Sequence, residues 1–320
     1  MNNSSMVSVC MITYGHEKYI EEAINSILMQ QCDFEIELLL ANDCSPDTTD
    51  EIVQNIINTH PKGYLIRYIK HQKNIGMMPN FIFALQQCKG KYVALCEGDD
   101  YWTDPMKLQK QIEFLEKNDD FVLTFHNALI HNNFTNTKYP FLENYNVDEF
   151  EVSHIFDRWI IPTASMVYRN NFTTDFPDFF TQATHGDLAL QLYLSKFGKF
   201  KAFKDIYSVY RINESSVTAS SFSSFNKNNK HIHQLRLIDS YFELKYHAQI
   251  QKRLFLFYLI NANTFKNKSV VKPLYWIGKA IILNPKYILE YKNNLKETIL
   301  NILKTVKYLF INNTNKLFSS

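Results

Sequence analysis

Two hydrophobic rhythms alternate over the first 126 residues of the chain. Val7 to Ile12 is an unbroken apolar run of strand length, after which Tyr19, Ile20, Ala23, Ile24, Ile27 and Leu28 recur at the spacing of one helix face. Ile36 to Ala41 repeats the first rhythm and predicts a second buried strand. Ser45-Pro46 then offers an N-cap and first-turn pair for a helix burying Ile52, Val53, Ile56 and Ile57. A third strand is expected over Tyr64 to Ile69, and a turn at Asn74-Ile75-Gly76 precedes a helix from near Pro79 to Cys88. Lys91 to Cys96 reads as a fourth strand, Asp104-Pro105 as a helix start, and Phe121 to Phe125 as a fifth strand. Such alternation predicts an α/β domain with a mostly parallel central sheet and helices on both faces.

Further on the rhythm loosens. Residues 132 to 147 are rich in Asn, Tyr and Pro and read as a long loop, while Ser165 to Tyr168 returns to the sheet. Gly186-Asp187 opens a helix carrying Leu188, Leu192 and Leu194, with Gly198 at the expected C-terminal cap, and Ile206 to Tyr210 is a last short strand. Six serines between Ser215 and Ser224 mark a linker. The expected organisation is therefore a domain over residues 1–215, a Ser-rich linker or loop over 216–224, and a helical region over 225–320. In that last region apolar residues alternate with lysines, as at Trp276, Ile277, Lys279, Ile281 and Ile282. Two readings stand there: helices packed on the first domain with snorkelling lysines, or a peripheral face resting on an anionic membrane.

Composition narrows the class. With 320 residues and 46% hydrophobic content a sizeable core is available, and a formal net charge of +2 offers no field that selects nucleic acid as a partner. Cys10, Cys32, Cys44, Cys88 and Cys96 form no C-x-x-C pair, so a reduced, cytoplasmic protein is expected instead of a disulfide or zinc framework. No signal peptide and no run of about 18 apolar residues is evident, which leaves soluble or peripherally attached as the expectation.

The chemistry concentrates where the fourth strand ends. Cys96-Glu97-Gly98-Asp99-Asp100-Tyr101-Trp102 brings three carboxylates around one glycine. Like charges this close call for a compensating cation. At the C-terminal end of a strand they lie where open α/β sheets bind ligands, and their oxygens suit Mg²⁺ or Mn²⁺ carrying a diphosphate. The alternative is a solvated turn whose acids cap the next helix.

In order and spacing, Val7 to Tyr14, the Asn42-Asp43-Cys44-Ser45-Pro46-Asp47 turn, Asn74-Ile75-Gly76 and Cys96 to Trp102 resemble family 2 glycosyltransferases. The likeness covers roughly residues 6 to 215, and Glu97-Gly98-Asp99-Asp100-Tyr101-Trp102 resembles a bacterial form of the D-x-D motif. The resemblance implies a GT-A fold, a nucleotide-diphosphate-sugar donor such as a UDP-sugar, a Mn²⁺ or Mg²⁺ cofactor, and inverting transfer to a glycan or lipid-linked acceptor. It further implies work on bacterial surface polysaccharide, in the cytoplasm at the inner face of the plasma membrane. Carried over, it implies Thr13 and Tyr14 in the base pocket, Asp43 on the base, and Asn74, Gly76 and Asn80 around the nucleotide. Asp99 becomes the metal ligand, with Glu97 and Asp100 as ribose or metal contacts. Asp187 becomes the catalytic base, and His185 an acceptor-pocket or structural residue. Asn213 stands where many relatives carry His. Two rivals remain: a non-catalytic nucleotide-sugar or glycan-binding module, and a sugar nucleotidyltransferase, which would call for a Gly-rich basic loop that Thr13-Tyr14-Gly15-His16-Glu17 does not supply.

Overall fold

Burial of both faces explains why the first strand is apolar at nearly every position. In the computed structural model, which describes residues 6–143, 150–157, 160–171, 175–213, 225–265 and 269–317, β1 (Val7–Thr13) lies inside the sheet. It is flanked in parallel by β2 (Ile36–Asn42) and β4 (Tyr92–Leu95), and β3 (Ile66–Lys70) continues the parallel set beyond β2. Val7, Val9 and Met11 pack with Ile20, Ile24 and Ile27 of α1 (Ile20–Leu28), Val53 of α2 (Thr49–Thr59) and Leu108 of α4 (Lys107–Lys117). α3 (Met77–Gln87) packs on β1 and β2 and buries Phe81, Ala84 and Leu85.

Beyond β4 the sheet is mixed. Its order is β3-β2-β1-β4-β8-β6-β9-β5, with β7 on β6; the added strands are β5 (Tyr101–Trp102), β6 (Phe121–Asn132), β7 (Thr137–Pro140), β8 (Val167–Arg169) and β9 (Lys199–Ile212). β8 runs antiparallel to β4 and β6, β9 parallel to β6, and β5 antiparallel to β9. An all-parallel run of neighbours is thus a property of the first half, where helical crossovers join the strands, while the second half keeps one parallel pair, β6 with β9.

Several local expectations shift for identifiable reasons. Ser45-Pro46 does not cap α2: Ser45 is held by Asn42 Oδ1, and Asp47 Oδ1 accepts the Thr49 amide at 3.1 Å, so the helix starts at Thr49. Asp104 likewise accepts from Met106 N, and α4 begins at Lys107. The expected loop from residue 132 contains β7, a wholly exposed strand with no apolar periodicity to announce it, while residues 144–149 lie outside the described part. Gly198 is not a helix cap, because α7 (Gly186–Leu194) ends earlier; a Cβ there would come 2.8 Å from the Asp120 carbonyl, where β9 enters the sheet.

The chain divides into two compact units, Met1–Ser216 and Val217–Ser320. The Ser-rich stretch 216–224 lies outside the described residues. The second unit is helical: α8 (Phe225–Tyr241), α9 (His247–Asn263), α10 (Val271–Leu283), the single turn α11 (Tyr287–Glu290) and α12 (Lys292–Leu317). Its core includes Ile238, Ile250, Leu254, Phe255 and Ala280. No described helix is long and apolar enough to cross a membrane.

Candidate active site

Parallel register brings three loops to one edge. Thr13 lies level with Asn42, and Cys10 with Leu95, so the segments leaving β1, β2 and β4 meet. Asp43 N donates to Thr13 O and Gly98 N to Ile12 O, each at 3.0 Å. Gly98 is required by this approach: a Cβ on it would lie 2.7 Å from Thr13 Oγ1 and 2.8 Å from His16 Nδ1.

On the side of β2, Thr13 is buried and Tyr14 is 46% exposed. Asp43, also buried, clasps the next turn: its two carboxylate oxygens accept from the amides of Ile75 at 2.7 Å and Gly76 at 2.9 Å. Each oxygen retains a further lone pair for a ligand. The turn needs glycine at 76, where φ is +94°. Asn74 stands exposed on it. Asn80 is buried, donating to Ala41 O at 3.1 Å and lying 2.9 Å from His71 Nε2, so it lashes α3 to the end of β2.

The three acids are not equivalent. Asp99 is half-buried, accepting from Asn213 Nδ2 at 3.1 Å, with His16 Nε2 4.0 Å away. Asp100 is 1% exposed and turned toward β9, where its Oδ1 accepts from the Arg211 amide at 2.9 Å; its Oδ2 has no hydrogen-bond partner among the described residues. Burial, then Asp99 and Glu97, hold the Asp100 carboxyl well above the usual carboxylate range despite Arg211 nearby. Glu97 is pushed up to about 8, first by burial and then by Asp99 and Asp187.

That coupling links the acid turn to α7. Asp187, in the first turn of α7, accepts from Thr163 Oγ1 at 3.4 Å, and His185 is the residue preceding the helix. Gly186 lets α7 start against α3: a Cβ there would lie 2.6 Å from the Phe81 ring and 3.1 Å from Met78 Sδ.

Arg211 was not singled out by its sequence context, yet it anchors the turn. Its Nη1 donates to the Asp99 carbonyl at 2.7 Å, its Nη2 pairs with Glu22, and its guanidinium lies 4.3 Å from the Tyr101 ring centre and 5.2 Å from that of Tyr19. Arg211 thus brings a cationic side chain beside the turn, but it directs its charge at Glu22 and gives the acids mainly backbone contacts. Only the β5–β9 pairing, with Tyr101 opposite Val209, makes Arg211 and Asn213 neighbours of residues 99–101. Thr163 was likewise unmarked, since a short 3-10 turn carries no motif.

Among the described residues no three His, Cys, Asp or Glu side chains converge as a ready-made metal cage. The donor set still fits a hard divalent cation. Crowded carboxylates raise the Glu97 carboxyl, and Mg²⁺ is commonly held by one or two carboxylates together with substrate phosphates.

These features, strand-end loops of a half-parallel, half-mixed sheet converging on an acid turn, define a GT-A-type α/β fold. It is shared with S. aureus TarS residues 1–349 in complex with UDP-GlcNAc, at TM-score 0.59 and 18% identity, covering 96% of this chain and 92% of that one. A mannosyltransferase, PcManGT from Pyrobaculum calidifontis in complex with GDP-Man and Mn²⁺, aligns at TM-score 0.55 and 13% identity, covering 95% and 87% of the two chains. The chain belongs to glycosyl transferase family 2, whose sequence profile it matches over residues 8–170. It is 35% identical over 171 residues to an uncharacterized protein of Mycobacterium tuberculosis, covering 53% of this chain and 48% of that protein. A Bacillus subtilis protein named for teichuronic acid biosynthesis, TuaG, is 32% identical over 114 residues, covering 36% and 43%. The chain thus spans about half the length, or less, of these curated relatives.

Proposed function

We propose that the chain is a metal-assisted inverting glycosyltransferase, with residues 1–215 as the catalytic domain and 225–320 as a helical appendage. It moves a sugar from a nucleotide-diphosphate-sugar, a UDP-sugar first among candidates, to a hydroxyl of a glycan or lipid-linked acceptor in bacterial surface polysaccharide synthesis. The observation that carries this reading is the placement of Asp99 and Asp187 each within electrostatic reach of Glu97, which sits on a turn hydrogen-bonded to the end of β1 through Gly98 N and Ile12 O at 3.0 Å. The UDP-GlcNAc complex of TarS and the GDP-Man and Mn²⁺ complex of PcManGT support donor and cation, and the name of TuaG supports the polysaccharide context.

In this reading Thr13, Tyr14, Asn74 and Gly76 border the nucleotide, and Asp43 both fixes the Gly76 turn and accepts from the base. Asn80 serves them by holding α3 in place. Asp99, with Glu97 beside it, would hold Mn²⁺ or Mg²⁺. When bound, the cation stabilises negative charge developing on the diphosphate. Asp187 takes the proton of the acceptor hydroxyl, whose oxygen then bonds to the anomeric carbon as the bond to the diphosphate oxygen breaks; the bonding pair leaves with the nucleotide. A positioned carboxylate contributes about 10²–10⁴-fold in such a step. One displacement inverts the centre.

The test is nucleotide release from a panel of UDP-, GDP- and dTDP-sugars with Mn²⁺ or Mg²⁺. Metal-dependent release that Asp99→Asn abolishes is expected. Asp187→Asn should cut turnover and leave donor binding near wild type. Turnover by Asp187→Asn equal to wild type would remove that residue from the chemistry, and release unaffected by a chelator would remove the cation.

A further inference from the structure

We infer that the C-terminal unit carries a docking surface for an anionic lipid bilayer, centred on α10. The proposal stands independently of the transferase reading, because it rests on other residues and another unit.

The first observation is a helix with two apolar faces. Pro273, Ile277 and Ala280 are buried on one side of α10. At i, i+3, i+4 and i+11 on the opposite side, Val271, Leu274, Tyr275 and Ile282 are 75, 54, 55 and 85% exposed. With a helical period of 3.6 residues these four fall on one stripe, as does Gly278, whose missing side chain would meet nothing within 4 Å. Isolated exposed apolar residues need no explanation, but a continuous outward stripe on a helix already packed by its other face does. α12 repeats the arrangement, with Ile299, Leu303 and Val306 exposed at helical spacing.

The second observation is charge. Residues 225–320 hold 16 Lys and Arg against 4 Asp and Glu, a net +12, so residues 1–224 carry −10 within the chain's formal +2. Lys272 and Lys279 lie on the flank of the α10 stripe, the latter 4.7 Å from the Tyr275 ring centre. Aliphatic and aromatic residues bordered by lysines suit the boundary between acyl chains and anionic headgroups, where stems lie along the apolar region and ammonium groups reach phosphates. A second copy meeting through the same face would set +12 against +12, and nucleic acid offers nothing for the aliphatic stripe to bury against. The bilayer satisfies both halves of the surface.

The experiment is co-sedimentation of the full chain with vesicles of phosphatidylcholine alone and of phosphatidylcholine with phosphatidylglycerol. Binding to the anionic vesicles, weakened by salt and weak on neutral ones, is expected. Lys272→Glu with Lys279→Glu should lower affinity by about fivefold or more per lysine. Leu274→Glu with Ile282→Glu should abolish binding; both sites face solvent, and a thermal melt checks that the fold survives. Absence of binding to anionic vesicles by the unmodified chain would overturn the proposal. So would equal binding by both double variants, a concentration-dependent dimer lost in Ile282→Glu without any lipid binding, or retention on duplex DNA with vesicles ignored.

Discussion

The backbone amide of Arg211 donates to Oδ1 of Asp100 at 2.9 Å, tying the end of β9 to the acid turn 111 residues earlier. Its side chain strengthens the tie through the Asp99 carbonyl, Glu22 and the rings of Tyr101 and Tyr19. Arg211→Ala removes the side-chain contacts and keeps the amide. Loss of about 1.5–3 kcal/mol is expected in denaturant unfolding, the scale of hydrogen bonds to charged groups. A fall in kcat for nucleotide release should accompany it. Arg211→Lys keeps the charge without the planar fork and should recover part of both. Unchanged unfolding by Arg211→Ala would show that the amide alone holds the turn.

Glu97 makes the stability of the unliganded protein pH-dependent. Its carboxyl is raised from 4.5 to about 8 by burial, Asp99 and Asp187, so the folded chain binds this proton more tightly than the unfolded chain does. The resulting stabilisation is complete below about pH 4.5 and is lost as pH rises through about 8. Unfolding free energies measured across that window should therefore carry a downward contribution that Glu97→Gln removes. In the transferase proposed above, Mn²⁺ with UDP would favour the ionised form and should flatten the slope in the unmodified chain. An identical pH profile for Glu97→Gln would contradict the assignment.

Gly186→Ala tests the contact between α7 and α3. The added methyl would lie 2.6 Å from the Phe81 ring, and overpacking of a filled site costs about 1–3 kcal/mol. Because the proposed base Asp187 is the next residue, turnover should fall along with stability. Phe81→Leu in the same chain should restore part of each. Failure of that rescue would place the strain elsewhere.

Lys107 is fully buried with its Nζ 4.0 Å from the Trp102 ring centre and without a hydrogen-bond partner among the described residues. Burial brings its ammonium down from 10.5 to about 7. Folding therefore favours the neutral amine, and the group's contribution becomes less unfavourable as pH rises from about 7 to 10.5. Lys107→Met removes an unsatisfied donor and should stabilise the chain near neutral pH, by up to about 1–3 kcal/mol. The gain should shrink in alkaline buffer, which thermal or denaturant unfolding at two pH values will read.

Much of the first half was legible because its physics is local. A strand covered on both sides must be apolar throughout, as β1 is, and a helix lying on a sheet must show one apolar face, as α1 does. The acid turn was equally legible, since nothing in a buried apolar strand prepares for three carboxylates. β7 was not, because an exposed antiparallel strand needs no apolar pattern once backbone pairing to β6 holds it. β9 extends from Lys199 to Ile212, where only Ile206 to Tyr210 looked like strand; charged residues at its exposed positions, Lys199, Lys204 and Asp205, masked the rest.

The sequence by itself determined the alternation of strand and helix, the place of Glu97, Asp99 and Asp100 at a strand end, and Asp187 at a helix start. Each follows from patterns that a few neighbouring residues enforce. Only the tertiary structure decided which acids stay half-exposed and which is sealed against β9. It also made Arg211 and Asn213 partners of a turn more than a hundred residues away, and turned one apolar face of α10 outward. Strand order and helix docking are set by the sum of many distant contacts, and no single stretch of the chain contains them.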